Sequence, residues 1–149
     1  MILGHLAISA LLHRYLKADL ASVMAGGLFP DVLDKTLCQV LHVTPSGRMY
    51  GHTLLGLGLS TALVRGIWGS RKAHSWGLGY SAHLVADVGG AVPWLYPFRE
   101  YDFSKLAPPL GEIVRRALAN PAELGLELSL LAWALLALSC GRVAQERRR

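Results

Sequence analysis

The sequence is poor in charged residues and in cysteine, and each shortage narrows the class of protein. Charged residues make up 17% of the chain and hydrophobic residues 52%, whereas typical soluble domains carry about 25% charged residues. The two cysteines, Cys38 and Cys140, have no metal-ligand spacing and are too few for a disulfide framework. We interpret both as small apolar residues, and the composition as pointing toward the membrane class.

The chain also lacks the features of a cleavable leader and of a nucleic-acid-binding surface. The stretch from Met1 to His5 is apolar, but no basic region and no small-residue cleavage site accompany it. Leaving out the three terminal arginines, 147–149, lowers the formal net charge from +5 to +2, and no basic patch is interleaved with aromatic residues. We therefore expect membrane lipid and no nucleic acid as a partner, and the oligomeric state stays open.

The hydrophobic pattern is helical along most of the chain, and no stretch alternates as a strand would. It predicts an all-α fold, a compact multi-helix bundle with apolar, membrane-associated helices. Glycine and proline mark the breaks, and Asp31 is expected to cap the third helix. The predicted helices are 4–17, 19–28, 31–42, 50–68, 73–90, 109–119 and 121–141.

We expect a single helical domain over 1–149. Its parts are a metal-site region (1–98), a loop with a short helix (99–120) and a C-terminal apolar helix with a basic tail (121–149).

The C-terminal helix is the strongest candidate for a membrane span. Residues 124–140 contain one charged residue, Glu127, over 17 positions, which is the lower edge of a transmembrane helix. Arg142 and the terminal arginines would then lie in the cytoplasm. The alternative is a compact soluble bundle in which the same segments are core helices, because every apolar stretch is short or interrupted.

The most informative feature is His83 followed four residues later by Asp87. On a helix this spacing places both side chains on one face, about 5–6 Å apart at Cβ, where they can bind one metal ion. An unpaired aspartate in such apolar surroundings would be costly to bury. Other histidines and aspartates upstream offer donors suited to Zn²⁺, Mn²⁺ or Fe²⁺. The predicted ligands for one or two divalent ions, most often zinc, are His5, Asp31, Asp34, His52, His83 and Asp87.

The order of these residues resembles the bacterial inner-membrane metal-dependent hydrolases of the YdjM type. The resemblance covers residues 1–98, and Gly47 stands where that family has a histidine. It implies a location in the inner (cytoplasmic) membrane and a metal-dependent hydrolytic activity. It is carried by His5, the Pro-Asp segment 27–34, the Gly-His-Thr segment 48–54 and the His-Leu-x-x-Asp segment 81–87.

The same order is similar, more distantly, to zinc-dependent phospholipases C and the related single-strand nucleases. That similarity implies one metal held by Asp31 or Asp34 together with His52, His83 and Asp87. It implies that Asp87 and His5 contribute to a second metal. The late histidine-bearing helices of those enzymes have no counterpart, because no histidine follows position 83.

These ligands favour a membrane-associated hydrolase that uses a metal-activated water, and the similarity to the phospholipases implies phosphoesters or lipids as its substrates. The aspartate of the 31/34 pair that does not bind metal would orient or deprotonate the water. Asp34 is the candidate for this role, and Arg48 for neutralising a phosphate. The alternatives are a non-catalytic membrane protein with a structural or lost metal site that acts through partners, and a soluble bundle with ordinary core histidines.

Overall fold

A computed structural model describes residues 2–88, 92–103, 111, 115 and 119–146. No strand occurs in these ranges, which confirms the all-α fold class. Positions 111, 115 and 119 are helical; the rest of the predicted 109–119 helix and arginines 147–149 lie outside the described residues. The helices with described bounds are α1 (Ile2–Leu16), α2 (Leu20–Lys35), α3 (Leu54–Trp68), α4 (Ser70–Ala86) and α5 (Pro121–Glu146), and a π-helical turn, Thr36–Val40, extends α2.

Helix α2 corrects two expectations from the sequence. The sequence predicted a break at the glycines before Pro30 and a new helix capped by Asp31, but α2 is continuous with Pro30 inside it. A proline in a helix removes one hydrogen bond and strains the preceding turn; here the helix continues through the proline, which is fully buried. The N-cap of α2 is Asp19, which accepts the backbone N–H of Ser22.

The glycines that suggested a helix break instead allow α2 to pack closely against α4. A Cβ atom on Gly26 would overlap the carbonyl group of Trp76, and one on Gly79 would overlap the carbonyl oxygen of Val23. Glycine is the residue that permits such close approach of two backbones. Among the described elements, α2 and α4 make the most extensive helix–helix interface, and this interface supports the site described below.

The chain between α2 and α3 is fixed by hydrogen bonds on both sides. The hydroxyl of Thr53 caps α3 by accepting the N–H of Gly56 at 2.8 Å and donates to the carbonyl of Tyr50 at 2.9 Å. The hydroxyl of the fully buried Tyr80 donates to the carbonyl of Gly51 at 2.5 Å. Residues 50–53 are therefore held against α4. The core at this point consists of Tyr80, Leu84 and Val92, with Phe29, Leu57, Trp76 and Trp94 packed against them.

Helix α5 begins at Pro121, as the sequence predicted, and packs against α1. Glu127 is buried, and its carboxylate accepts the backbone N–H of Leu3 at 3.3 Å. In the described part of the chain, no helix has both the length and the apolar character that crossing a membrane requires.

Candidate metal centre

Five of the six predicted ligands lie together where α1, α2 and α4 meet the turn before α3. His5 comes from α1, Asp31 from α2, His52 from the turn, His83 from α4 and Asp87 from the C-cap of α4. Their donor atoms form two overlapping groups, one of residues 5, 83 and 87 and one of residues 31, 52 and 83. Within each group all donor atoms lie within 4.8 Å of one another. All five side chains except that of Asp31 are buried.

The distances between donor atoms fit shared coordination. Nε2 of His83 lies 3.2 Å from Nε2 of His52; two nitrogens bound to one tetrahedral zinc at 2.0–2.1 Å would lie about 3.3–3.4 Å apart. Nε2 of His52 is 3.6 Å from Oδ2 of Asp87 and 3.7 Å from Oδ1 of Asp31. Oδ1 of Asp87 is 3.5 Å from Nε2 of His5. One cation, or two that share Asp87, would have ligands at suitable separations.

Hydrogen bonds fix the tautomers of the two central histidines. Nδ1 of His83 lies 2.7 Å from the carbonyl oxygen of Gly27. A carbonyl only accepts, so this nitrogen carries the proton. Nδ1 of His52 lies 2.7 Å from Oδ2 of Asp34, a carboxylate that accepts several backbone N–H groups, so it too is the protonated nitrogen. In the neutral rings neither Nε2 carries a proton, so the two nitrogens repel each other at 3.2 Å unless a proton or a metal ion lies between them.

Comparison with known proteins identifies the family. The model of the family described as YdjM inner membrane protein matches residues 1–147. The chain belongs to the YdjM inner membrane protein family. This confirms the family that the motif order indicated and supports the expected location in the inner membrane. Neither the curated proteins nor the solved structures gave a match, so the resemblance to phospholipases C and single-strand nucleases has no support from these comparisons.

Asp34 in this YdjM family member lies behind His52 rather than among the grouped donor atoms. Its Oδ2 accepts the backbone N–H groups of Met49 at 2.7 Å and His52 at 3.2 Å, and its Oδ1 accepts that of Gly51 at 2.8 Å. With the imidazole bond, four donors surround this carboxylate, which is 1% exposed. The predicted roles of Asp34 in binding metal or activating water stay predictions; in the structure its oxygens accept from the backbone and from His52, an arrangement that suits a carboxylate that orients a histidine from behind.

Arg48 was predicted from the sequence to neutralise a phosphate. Its side chain reaches the edge of the cluster formed by the five predicted ligands. One of its guanidinium nitrogens lies 2.8 Å from Oδ2 of Asp87, and its side chain is 40% exposed. Burial disfavours ionisation of Asp87, but the side chains of His5 and His52 and the charge of Arg48 outweigh it and hold the pKa of Asp87 well below its usual range. The cluster therefore presents an ionised carboxylate with a cationic side chain at its open edge.

The two central imidazoles differ in their affinity for protons. Burial and the neighbouring His5 lower the pKa of His83 to about 4, so this ring is neutral at pH 7. Burial also opposes a charge on His52, but the carboxylates of Asp34 and Asp87 outweigh it and raise the pKa of His52 above its ordinary value. A proton therefore competes with a cation for Nε2 more strongly at His52 than at His83.

Sequence reasoning missed the carbonyl group of Gly27, which orients His83. No side-chain pattern identifies a backbone acceptor, and only the packing of α2 on α4 brings it within reach. It also missed the roles of Tyr80 and of the turn before α3, which together hold His52 in place. The one signal in the sequence is the glycine directly before His52: in the structure a Cβ at Gly51 would overlap the backbone of Pro30.

Proposed function

We propose that this chain is a membrane-associated, metal-dependent hydrolase of phosphoesters, in lipid or soluble form. The observation that carries the proposal is the pair of Nε2 atoms, 3.2 Å apart, which are free of protons in the neutral rings because Gly27 and Asp34 accept from the two Nδ1 atoms. The nearby oxygens of Asp31 and Asp87 add the negative charge that a divalent cation requires. This set of nitrogen and oxygen donors suits Zn²⁺, with Mn²⁺ or Fe²⁺ as alternatives.

The residues of the chain divide the work between holding a cation and binding an anion. The cation would be held by His52, His83 and Asp87, with Asp31 and His5 on either side. A divalent cation bound there supplies Lewis acidity, which polarises a phosphoryl oxygen and lowers the pKa of water. Asp31 lies at the partly exposed edge of the cluster; its Oδ2 accepts from the ammonium group of Lys35 at 2.6 Å, and its Oδ1, on the side of His52, could orient a water molecule.

Arg48 supports the assignment of phosphoesters as substrates. Its guanidinium group lies at the same edge and is exposed enough to meet a substrate. Arginine matches the geometry of phosphate oxygens with paired N–H groups. A phosphate that entered the centre would accept from Arg48 while Asp87 is shared with the cation.

A structural metal site in a non-catalytic membrane protein is the second candidate. The observation that favours it is the burial of the two central histidines, which are 0% and 2% exposed. Structural zinc sites are closed, with all coordination positions filled by protein, whereas catalytic sites keep one position open. The two candidates differ in whether the loaded protein hydrolyses a phosphoester.

The test combines metal analysis with hydrolysis of bis(4-nitrophenyl) phosphate and of phosphatidylglycerol in mixed micelles. Purified protein, loaded with Zn²⁺ or Mn²⁺, is compared with the variants His5→Ala and His13→Ala, which lie on the same helix. His13 contacts the carbonyl of Ala18 and is not in the cluster, so its variant should keep both metal and activity. His5→Ala should lose activity while circular dichroism stays unchanged.

Two results would overturn the proposal. Metal bound stoichiometrically to the wild-type chain, with no hydrolysis of either substrate, would assign the centre a structural role. Hydrolysis that persists in His83→Ala after removal of metal would place the activity elsewhere.

A further inference from the structure

A second candidate site lies beside the metal centre. A pocket with a volume of about 420 Å³ falls within the range of small-molecule sites. Two of its lining residues, Tyr50 and Thr53, flank the segment that carries His52, and two more, Phe29 and Leu33, flank Asp31. The pocket and the metal centre therefore share the backbone of α2 and of the turn before α3.

The lining of this pocket is hydrocarbon in character because its aliphatic hydroxyl groups are already engaged. The hydroxyl of Thr53 is used in capping α3. The hydroxyl of Ser60 accepts the indole N–H of Trp76 at 3.1 Å and donates to the carbonyl of Leu57 at 3.2 Å. What the pocket offers a ligand is mainly leucine side chains and aromatic rings, among them Tyr50 and Tyr96, which pack edge to face at 5.8 Å.

The pocket continues onto an exposed apolar surface. Leu55, Leu59 and Leu63 line it from α3, and their spacing of four residues places them on one face of the helix. Leu59 and Leu63 are each 63% exposed. Exposed apolar surface is unfavourable in water by about 25 cal/mol per Å², and contiguous patches mark sites that are covered by a ligand, a partner or a membrane.

We propose that this pocket binds one acyl chain of a membrane phospholipid. The apolar lining favours a ligand without polar groups. Phospholipid acyl chains are such ligands, and the chain belongs to a family of inner membrane proteins. A helix of a partner protein would fit this pocket less well than an acyl chain. One turn of a helix 10 Å across already occupies roughly 420 Å³, the volume of the whole pocket, so only one turn could enter. The binding requires neither a metal ion nor hydrolysis, so the inference stands apart from the proposed function.

The test is photo-crosslinking in vesicles of phosphatidylethanolamine and phosphatidylglycerol. A phosphatidylglycerol with a diazirine in its acyl chain is activated, and the labelled peptides are identified by mass spectrometry. We expect label on the lining residues from α3 and at Phe29. Leu59→Glu places a charge in the pocket wall and should remove this label. Ile67→Glu, on the same helix and 58% exposed but outside the lining, should retain it.

Three outcomes would overturn the inference. The first is label spread evenly over the exposed residues of α3 and unchanged in Leu59→Glu, which would indicate general contact with the bilayer. The second is a crosslinked dimer without lipid label, which would indicate a second copy of the chain on this face. The third is label from a photoactivatable free fatty acid but not from the phospholipid.

A parallel measurement separates this inference from the proposed function. The variant His83→Ala should be labelled at the pocket as the wild type is, whether or not the wild type hydrolyses phosphoesters. Loss of the pocket label in His83→Ala with an unchanged circular dichroism spectrum would contradict the independence of the two sites and overturn the inference.

Discussion

Replacing Asp34 with asparagine tests whether this carboxylate organises the metal centre from behind. The carboxylate accepts three backbone N–H groups and the imidazole of His52 at 2.7–3.2 Å. If the amide oxygen of asparagine takes the Oδ2 position, the amide nitrogen faces the N–H of Gly51. Two donors then oppose each other in a buried place, and the backbone N–H loses its acceptor.

The size of the effect follows from that loss. A buried donor without a partner costs about 1–3 kcal/mol, so Asp34→Asn should lower the free energy of unfolding by about that amount. A domain with about 5–15 kcal/mol of stability would remain folded. Loss of the carboxylate behind a ligating histidine typically weakens metal binding by about 10–100-fold, and we expect a decrease in Zn²⁺ affinity in this range.

The assay is competition for Zn²⁺ with a chromophoric chelator, together with urea denaturation of the metal-free protein. Asp19→Asn is the control, because Asp19 also accepts a backbone N–H on α2 but lies twelve residues, or about 18 Å of helix, from Asp31. Wild-type Zn²⁺ affinity in Asp34→Asn would refute the reasoning, since it would mean that the orientation and tautomer of His52 do not depend on this carboxylate.

Three further predictions concern the same centre. Protons compete with metal at His52, whose pKa is raised, whereas the pKa of His83 is about 4. Zn²⁺ affinity should therefore rise as the pH increases through the pKa of His52 and then level off. A constant affinity from pH 5.5 to 8 would contradict this prediction. Gly79→Ala should destabilise the protein by about 1–3 kcal/mol through overpacking against α2 and should weaken metal binding. Gly77→Ala, where a Cβ makes ordinary contacts, should do neither. Equal urea midpoints for the two variants would contradict this prediction. Arg48→Gln should retain bound metal but lower kcat/KM for bis(4-nitrophenyl) phosphate by about 10–150-fold, the equivalent of one hydrogen bond to a charged group at about 1.5–3 kcal/mol; unchanged kinetics would remove Arg48 from the site.

The helical fold and most of the ligand cluster follow from local pattern. Four-residue spacing placed His83 and Asp87 on one side of α4, and chemistry alone marked the other donors. The two aspartates of α2 were indistinguishable in sequence, because three residues of helix leave their side chains only about 60° apart. Which of them faces the centre depends on residues 49–52, whose backbone N–H groups surround Asp34.

The breaks between helices were less predictable for a physical reason. Glycine and proline are local signals, and at Gly26 and Pro30 they indicated the end of a helix. The structure uses them differently, since the missing side chain of Gly26 admits the backbone of α4 and the ring of Pro30 is buried. Packing between α2 and α4 therefore outweighs the local preference, and a single sequence does not contain that interface.

The bond from His83 to the carbonyl of Gly27 limits the stoichiometry of the centre. With Nδ1 committed, the ring of His83 can donate to one ion only and cannot act as an imidazolate bridge. In a dinuclear centre the two ions would be joined through Asp87, whose Oδ1 lies toward His5 and whose Oδ2 lies toward His52. Loading of the second equivalent would then depend on this carboxylate, so Asp87→Asn would convert a two-step binding isotherm into a single step.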